Sequence, residues 1–155
     1  MVYHDRLELD ATLENIPRFR AFVEDACARG GTSADDCFAI KLAVDEVCTN
    51  IIEHGYGPDH HGAISLIVDV AEGEIRVAVV DTGRPFAPEE APVPDVEAPW
   101  QDRPIGGLGW HLIRKTVDDI RYQTDGAENR LTLVKKFDEA SGTGNEQERD
   151  DGRDD

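Results

Sequence analysis

Along residues 41–54, KLAVDEVCTNIIEH, apolar and polar positions recur with the period of a helix rather than that of a strand. At about 100° per residue, Ala43, Val44, Val47, Cys48 and Ile51 share one broad arc suited to a core. Glu46, Asn50 and His54, spaced by four, line the edge of that arc. Upstream, residues 2–9 alternate loosely and predict a strand whose Leu7 and Leu9 face inward together. Asn15 before Pro17 opens a helix whose stripe is Phe19, Phe22, Val23 and Ala26, ending at Arg29 and Gly30. Ser33 followed by Asp36 is a capping pattern for the next helix, which takes in residues 41–54 and is expected to stop at Gly55. Residues 62–70 and 74–80 are β-rich runs joined by Ala71, Glu72 and Gly73, the composition of a hairpin. A further helix runs from residues 105–109 through Trp110, Leu112, Ile113 and Val117. After it, residues 119–124 and 130–137 form a second hairpin about Asp125 and Gly126. The order β, α, α, β, β, long loop, α, β, β predicts an α+β fold, a mixed, mostly antiparallel sheet with three helices on one face.

Composition narrows the class. A chain of 155 residues with 39% hydrophobic content and no internal repeat suits one globular domain, here residues 1–137. Residues 138–155 carry eight acids against two arginines and no aliphatic or aromatic anchor, so an acidic, disordered tail is expected. The formal net charge of -17 repels nucleic acid and anionic membranes and favours a basic protein partner. No apolar run reaches the length of a membrane span and the first residues lack a signal peptide's pattern, so a cytoplasmic location is expected. Cys27, Cys37 and Cys48 fall within predicted helices without a CxxC pair, and read as small core residues. His60 and His61 lack a third ligand nearby and read as a solvated turn, not a metal site.

Three stretches carry candidate chemistry. Asn50 lies almost within the apolar arc, where a buried amide needs partners; by itself the pair also suits a capping Asn50 and a solvated Glu46. Asp81-Thr82-Gly83 ends a strand in a turn that begins with a carboxylate, and such turns also form without any ligand. Residues 87–104 are rich in proline and acid, without periodicity, and read as a long mobile loop of the kind that is either functional or disordered. That loop closes on Gly106, Gly107, Leu108 and Gly109 at a helix start, where bare N–H groups favour an anion. The cluster lacks the Lys-Ser/Thr of a P-loop and the upstream strand of a dinucleotide fingerprint; a flexible hinge and a phosphate cradle both fit it.

Taken together, and in this order and spacing, the three stretches resemble the N, G1 and G2 boxes of the GHKL ATPase superfamily, whose Bergerat fold is a two-layer sandwich holding ATP beneath a lid. AVDEVCTNIIEHGY, VVDTGRPF and GGLGWHLIRKTVDDIRY are most similar to the small bacterial anti-sigma factor serine/threonine kinases, over roughly residues 7–137. The resemblance implies that Asn50 binds Mg²⁺ and that Glu46 is the catalytic base. It implies that Asp81 accepts from the adenine amino group and that Gly83 lets the base approach. Gly106, Gly107 and Gly109 would cradle the phosphates, with Leu108 fixing a lid over residues 87–109 and His54 beside the nucleotide. Trp110 departs from the family's usual smaller residue.

The activity so implied is ATP- and Mg²⁺-dependent phosphorylation of a serine or threonine on an anti-anti-sigma protein of the STAS type by a protein that also sequesters a sigma factor. No direct contact with nucleic acid or membrane is implied, and a homodimer is among the assemblies allowed. Two alternatives stay open at this point: a non-catalytic, ATP-gated binding module, and a stand-alone sensor-kinase ATPase module.

Overall fold

The computed structural model describes residues 2–58, 61–85 and 113–137. The expected lid at 87–109, with Gly106, Gly107, Leu108 and Gly109, lies outside the described residues, as do Trp110, His60 and the tail at 138–155. The described strands are β1 (Tyr3–Asp10), β2 (Ala63–Ala71), β3 (Glu74–Asp81), β4 (Asp119–Thr124) and β5 (Asn129–Lys136), forming one sheet in the order β1-β2-β3-β5-β4. Both expected hairpins are present, β2 with β3 and β4 with β5. Every pairing among the described strands is antiparallel, including the contact of β3 with β5 that encloses the long connection.

Period-two alternation sends Ile64, Leu66, Val68 and Val70 of β2, Ile75, Val77 and Val79 of β3, and Leu131 and Leu133 of β5 into one core. Helix α1 (Ile16–Gly30) covers that face with Phe19, Val23, Ala26 and Cys27, and α2 (Ala34–Asn50) with Ile40, Ala43, Val44, Val47 and Cys48. A helical turn at 113–116 adds Ile113 to the same cluster, and Val117 follows it, so the third expected helix also lies on this face. Each fully buried aliphatic side chain here contributes about 1.5–3 kcal/mol. The three cysteines are buried, and burial pushes the thiols of Cys27 and Cys48 well above the usual range, consistent with inert core positions. The opposite face of the sheet is charged, with the pairs Arg6–Glu8, Arg76–Glu74 and Arg121–Asp119 in water, where each contributes little.

Local chemistry sets the ends of the helices. Asn15 occupies the cap position of α1, yet its Nδ2 donates to the Asp10 carbonyl at 2.8 Å and ties the end of β1 to the helix start. Gly31, at φ 77°, closes α1 in the left-handed region that favours glycine. Ser33 caps α2 by accepting the Asp36 N–H at 3.2 Å, as the sequence pattern requires. The far end differs from expectation, because the helix does not stop at Gly55. At Ile51 the backbone widens into a π-helical turn, Ile51–Tyr56, which ends at Gly57 with φ 77°. A π turn accommodates one more residue than an α turn and so re-aims whatever follows. Here it delivers Tyr56 inward, onto the end of β3.

Candidate functional site

The last turn of α2 and the C-terminal end of β3 form the walls of a cavity. Val47 and Ile51 line it from the helix, Leu131 and Tyr122 from the sheet, and Asn50, Gly55, Asp81 and Arg84 complete it. Apolar walls with a few convergent polar groups suit a small planar ligand.

On the helical wall Asn50 is only 6% exposed, and its Nδ2 donates to Glu46 Oε2 at 3.4 Å, one turn back. The amide is thus buried against a carboxylate rather than capping a loop. Glu46 is half-buried, and that burial pushes its carboxyl above the ordinary range. The nearby charges of Glu53 and Asp45 act in the same direction, while the Asn50 hydrogen bond opposes them. His54 is exposed and does not line the cavity. The π turn explains this position: beyond Ile51 the wider turn takes His54 off the row that Glu46 and Asn50 share.

On the sheet wall, Asp81 is the last residue of β3 and is 7% exposed. Its Oδ1 accepts the Gly83 N–H at 2.8 Å and Asn129 Nδ2 at 3.0 Å. Burial pushes this carboxyl up as well, with the Asn129 and Gly83 hydrogen bonds opposing. The turn after Asp81 is fixed by Tyr56, whose hydroxyl donates to the Ala63 carbonyl at 2.8 Å and accepts the Thr82 N–H at 2.9 Å. Gly83 has a structural requirement of its own. A Cβ there would stand 2.8 Å from the Gly55 carbonyl carbon and 2.9 Å from its oxygen, so only glycine lets the turn rest on the π-helical backbone. Arg84 N–H donates to that same oxygen at 2.8 Å.

The structure therefore brings together Glu46, Asn50, Asp81 and Gly83, and leaves His54 at the surface. Sequence reasoning missed Asn129, Tyr56, Tyr122 and Arg84. Asn129 had a readable signal: it shares the inward face of β5 with Leu131 and Leu133, a polar residue where the alternation calls for an apolar one. The expected strand began one residue later, at Arg130, and so left it out.

The donor set fits magnesium. Asn50 spends its amide N–H on Glu46 and keeps a neutral hard oxygen for a cation. Among the described residues no group of three or more His, Cys, Asp or Glu forms an all-protein metal site.

Comparison with known proteins agrees with this geometry. The family described as "Histidine kinase-like ATPase domain" matches residues 9–135. Serine/threonine-protein kinase BtrW of Bordetella bronchiseptica is 30% identical over 130 residues, 84% of this chain and 92% of the relative. Serine-protein kinase RsbW of Bacillus thuringiensis is 29% identical over 135 residues, 84% of this chain and 82% of the relative. Among solved structures, the RsbU and RsbW domains of Rv1364c from Mycobacterium tuberculosis align with a TM-score of 0.63 at 23% identity. That alignment covers 86% of this chain and 32% of the solved one, and supports the fold.

Proposed function

Because the chain belongs to the histidine kinase-like ATPase domain family, we propose that it is an ATP- and Mg²⁺-dependent protein serine/threonine kinase and anti-sigma factor. It holds a sigma factor, in the cytoplasm where such a partner works, and phosphorylates an anti-anti-sigma antagonist that competes for it. The observation that carries the chemistry is the pair on α2: a half-buried carboxylate, Glu46, hydrogen-bonded to the cavity-lining Asn50 one turn away.

In this reading Asp81 accepts the adenine amino group, and the apolar walls from Val47, Ile51 and Leu131 take the ring. Asn50 presents its oxygen to Mg²⁺ on the triphosphate, and the ion, when bound, offsets phosphate charge. Gly106, Gly107 and Gly109 cradle the phosphates, with Leu108 and the rest of 87–109 as the lid; a role for His54 is confined to the rim. Glu46 takes the proton of the incoming serine or threonine hydroxyl as its oxygen bonds to the γ-phosphorus and the β,γ-bridging bond breaks, releasing ADP. Burial raises its pKa, which strengthens it as a base. Positioning and charge supply most of the remaining acceleration. A binding module gated by ATP has no use for Glu46 beside the metal ligand, which favours the kinase.

Incubation with labelled ATP, Mg²⁺ and candidate antagonist proteins tests the proposal. Label on a serine or threonine of one antagonist is expected. Tight ATP binding with no transfer to any partner leaves the gated module instead.

A further inference from the structure

Asp81, Asn129 and Thr124 stand in one row across three neighbouring strands: Asp81 is the register partner of Asn129, and Asn129 that of Thr124. The row is polar beside the apolar row of Val79, Leu131 and Tyr122 next to it on the same face, and Asn129 at its centre is 3% exposed. Its hydrogen bonds admit a single arrangement. Gly126 N–H donates to Thr124 Oγ1 at 3.0 Å, so the hydroxyl proton is free to point the other way, to Asn129 Oδ1 at 2.6 Å. With Oδ1 thereby fixed as the acceptor, both protons of Nδ2 are directed inward, one to Asp81 Oδ1 at 3.0 Å and one to the Gly83 carbonyl at 2.9 Å. Asp81 Oδ1 already accepts the Gly83 N–H, so these two donors occupy one oxygen and leave Oδ2 to a ligand. A flipped Asn129 amide would set its oxygen against Asp81 Oδ1 and the Gly83 carbonyl, which fixes its orientation, and the Thr124 hydroxyl then holds the amide in place.

We propose that Asn129, locked by Thr124, is a positioning residue that makes the cavity select an amino-bearing purine over a keto-bearing one. With Oδ1 saturated by two donors, the carboxylate is held in one orientation. Its remaining oxygen accepts only a donor, such as the adenine amino group, and repels the corresponding keto oxygen of inosine or guanine. The inference rests on the reading of Asp81 as the acceptor for the base and adds what fixes its orientation. Selectivity is thereby linked to the β4–β5 turn, where no ligand contact is needed.

The test is a calorimetric titration of the folded chain with the Mg²⁺ complexes of ATP and inosine triphosphate, read as the ratio of the two affinities. A hydrogen bond to a charged acceptor predicts a parental ratio of about 10 to 100 in favour of ATP. Asn129→Ala is expected to lower that ratio about tenfold, since an unheld carboxylate tolerates either edge. Thr124→Val, which leaves the folded chain to be titrated as before, is expected to lower it about threefold, and Thr124→Ser to restore it. If Asn129→Ala does not fold, the Thr124 pair decides. A ratio within about twofold of the parent's in Thr124→Val overturns the inference, because even a neutral hydrogen bond that holds Asn129 is worth more than that. A parental ratio near one, or the same ratio in Asp81→Asn, overturns the reading of Asp81 itself.

Discussion

Glu46 and Asn50 share one 3.4 Å hydrogen bond along a turn of α2, whereas Asp81 and Asn129 are tied at 3.0 Å and each is held by further partners. Asp81 lines the cavity and Glu46 stands behind the cavity-lining Asn50, and both carboxyls are pushed above the usual range by burial. The difference lies in their freedom. Asp81 is fixed by the strand register, by the turn to Gly83 and by Asn129, as suits a group that must recognise one edge of one base. Glu46 has one weak described partner, as suits a group that must take up a proton and release it. On the proposed function, the recognition end is rigid because a sheet builds it, and the reactive end is adaptable because a single helix face does.

The largest expected effect comes from the adaptable end. Glu46→Gln keeps the shape and the Asn50 contact but removes the base, so single-turnover phosphoryl transfer with ATP prebound should fall about 10² to 10⁴-fold. ATP affinity should stay near the parent's; a rate within about threefold of it would deny Glu46 the role of base. At the rigid end, Asp81→Asn should weaken ATP by about 10 to 100-fold in a calorimetric titration, the value of a hydrogen bond to a charged acceptor. Unchanged affinity in that variant would move the adenine contact elsewhere.

The third effect concerns what holds the two ends together. Gly83→Ala forces a methyl group against the Gly55 backbone at 2.8 Å, where no flexible side chain can yield, and should cost about 1–3 kcal/mol in urea unfolding. Gly55→Ala is the control. Its added Cβ meets Ile51 and Arg84 at 3.6 and 3.7 Å, ordinary contact, and a loss as large as that at Gly83 would show that the π turn itself resists side chains.

The smallest effect is one of pH. The Glu46 pKa is raised in the folded state, so the folded chain binds more protons than the unfolded one between the usual carboxylate range and the raised value. Stability therefore falls as pH rises through that window, and the penalty is fully present above the folded pKa. Glu46→Gln removes it. The variant should melt slightly above the parent at neutral pH, and the margin should vanish as pH falls below the usual carboxylate range. A margin that grows on acidification would mean that Glu46 is stabilised as an anion.

How much of this was legible differs from element to element. The period of residues 41–54 determined which face of α2 is buried, because Ala43, Val44, Val47 and Cys48 have no alternative to a core. Ser33 and Asp36 determined where α2 begins, and Ala71, Glu72 and Gly73 determined the β2–β3 hairpin, because caps and tight turns are settled by residues within a few positions of one another. The pairings of Glu46 with Asn50 and of Asp81 with Gly83 were likewise readable, since each pair lies within one turn of chain.

Tertiary structure decided the rest. No local rule required the helix to widen at Ile51, which left His54 exposed and turned Tyr56 onto Thr82. The requirement for glycine at position 83 appeared only with Gly55 beneath it, 28 residues earlier in the chain. Asn129 became part of the site only when β5 paired with β3 across the long connection and brought it within 3.0 Å of Asp81, 48 residues away. Sequence periodicity reports which face a residue occupies; which residue meets it there depends on strand order and register, and these are set by the packing of the whole sheet against its helices.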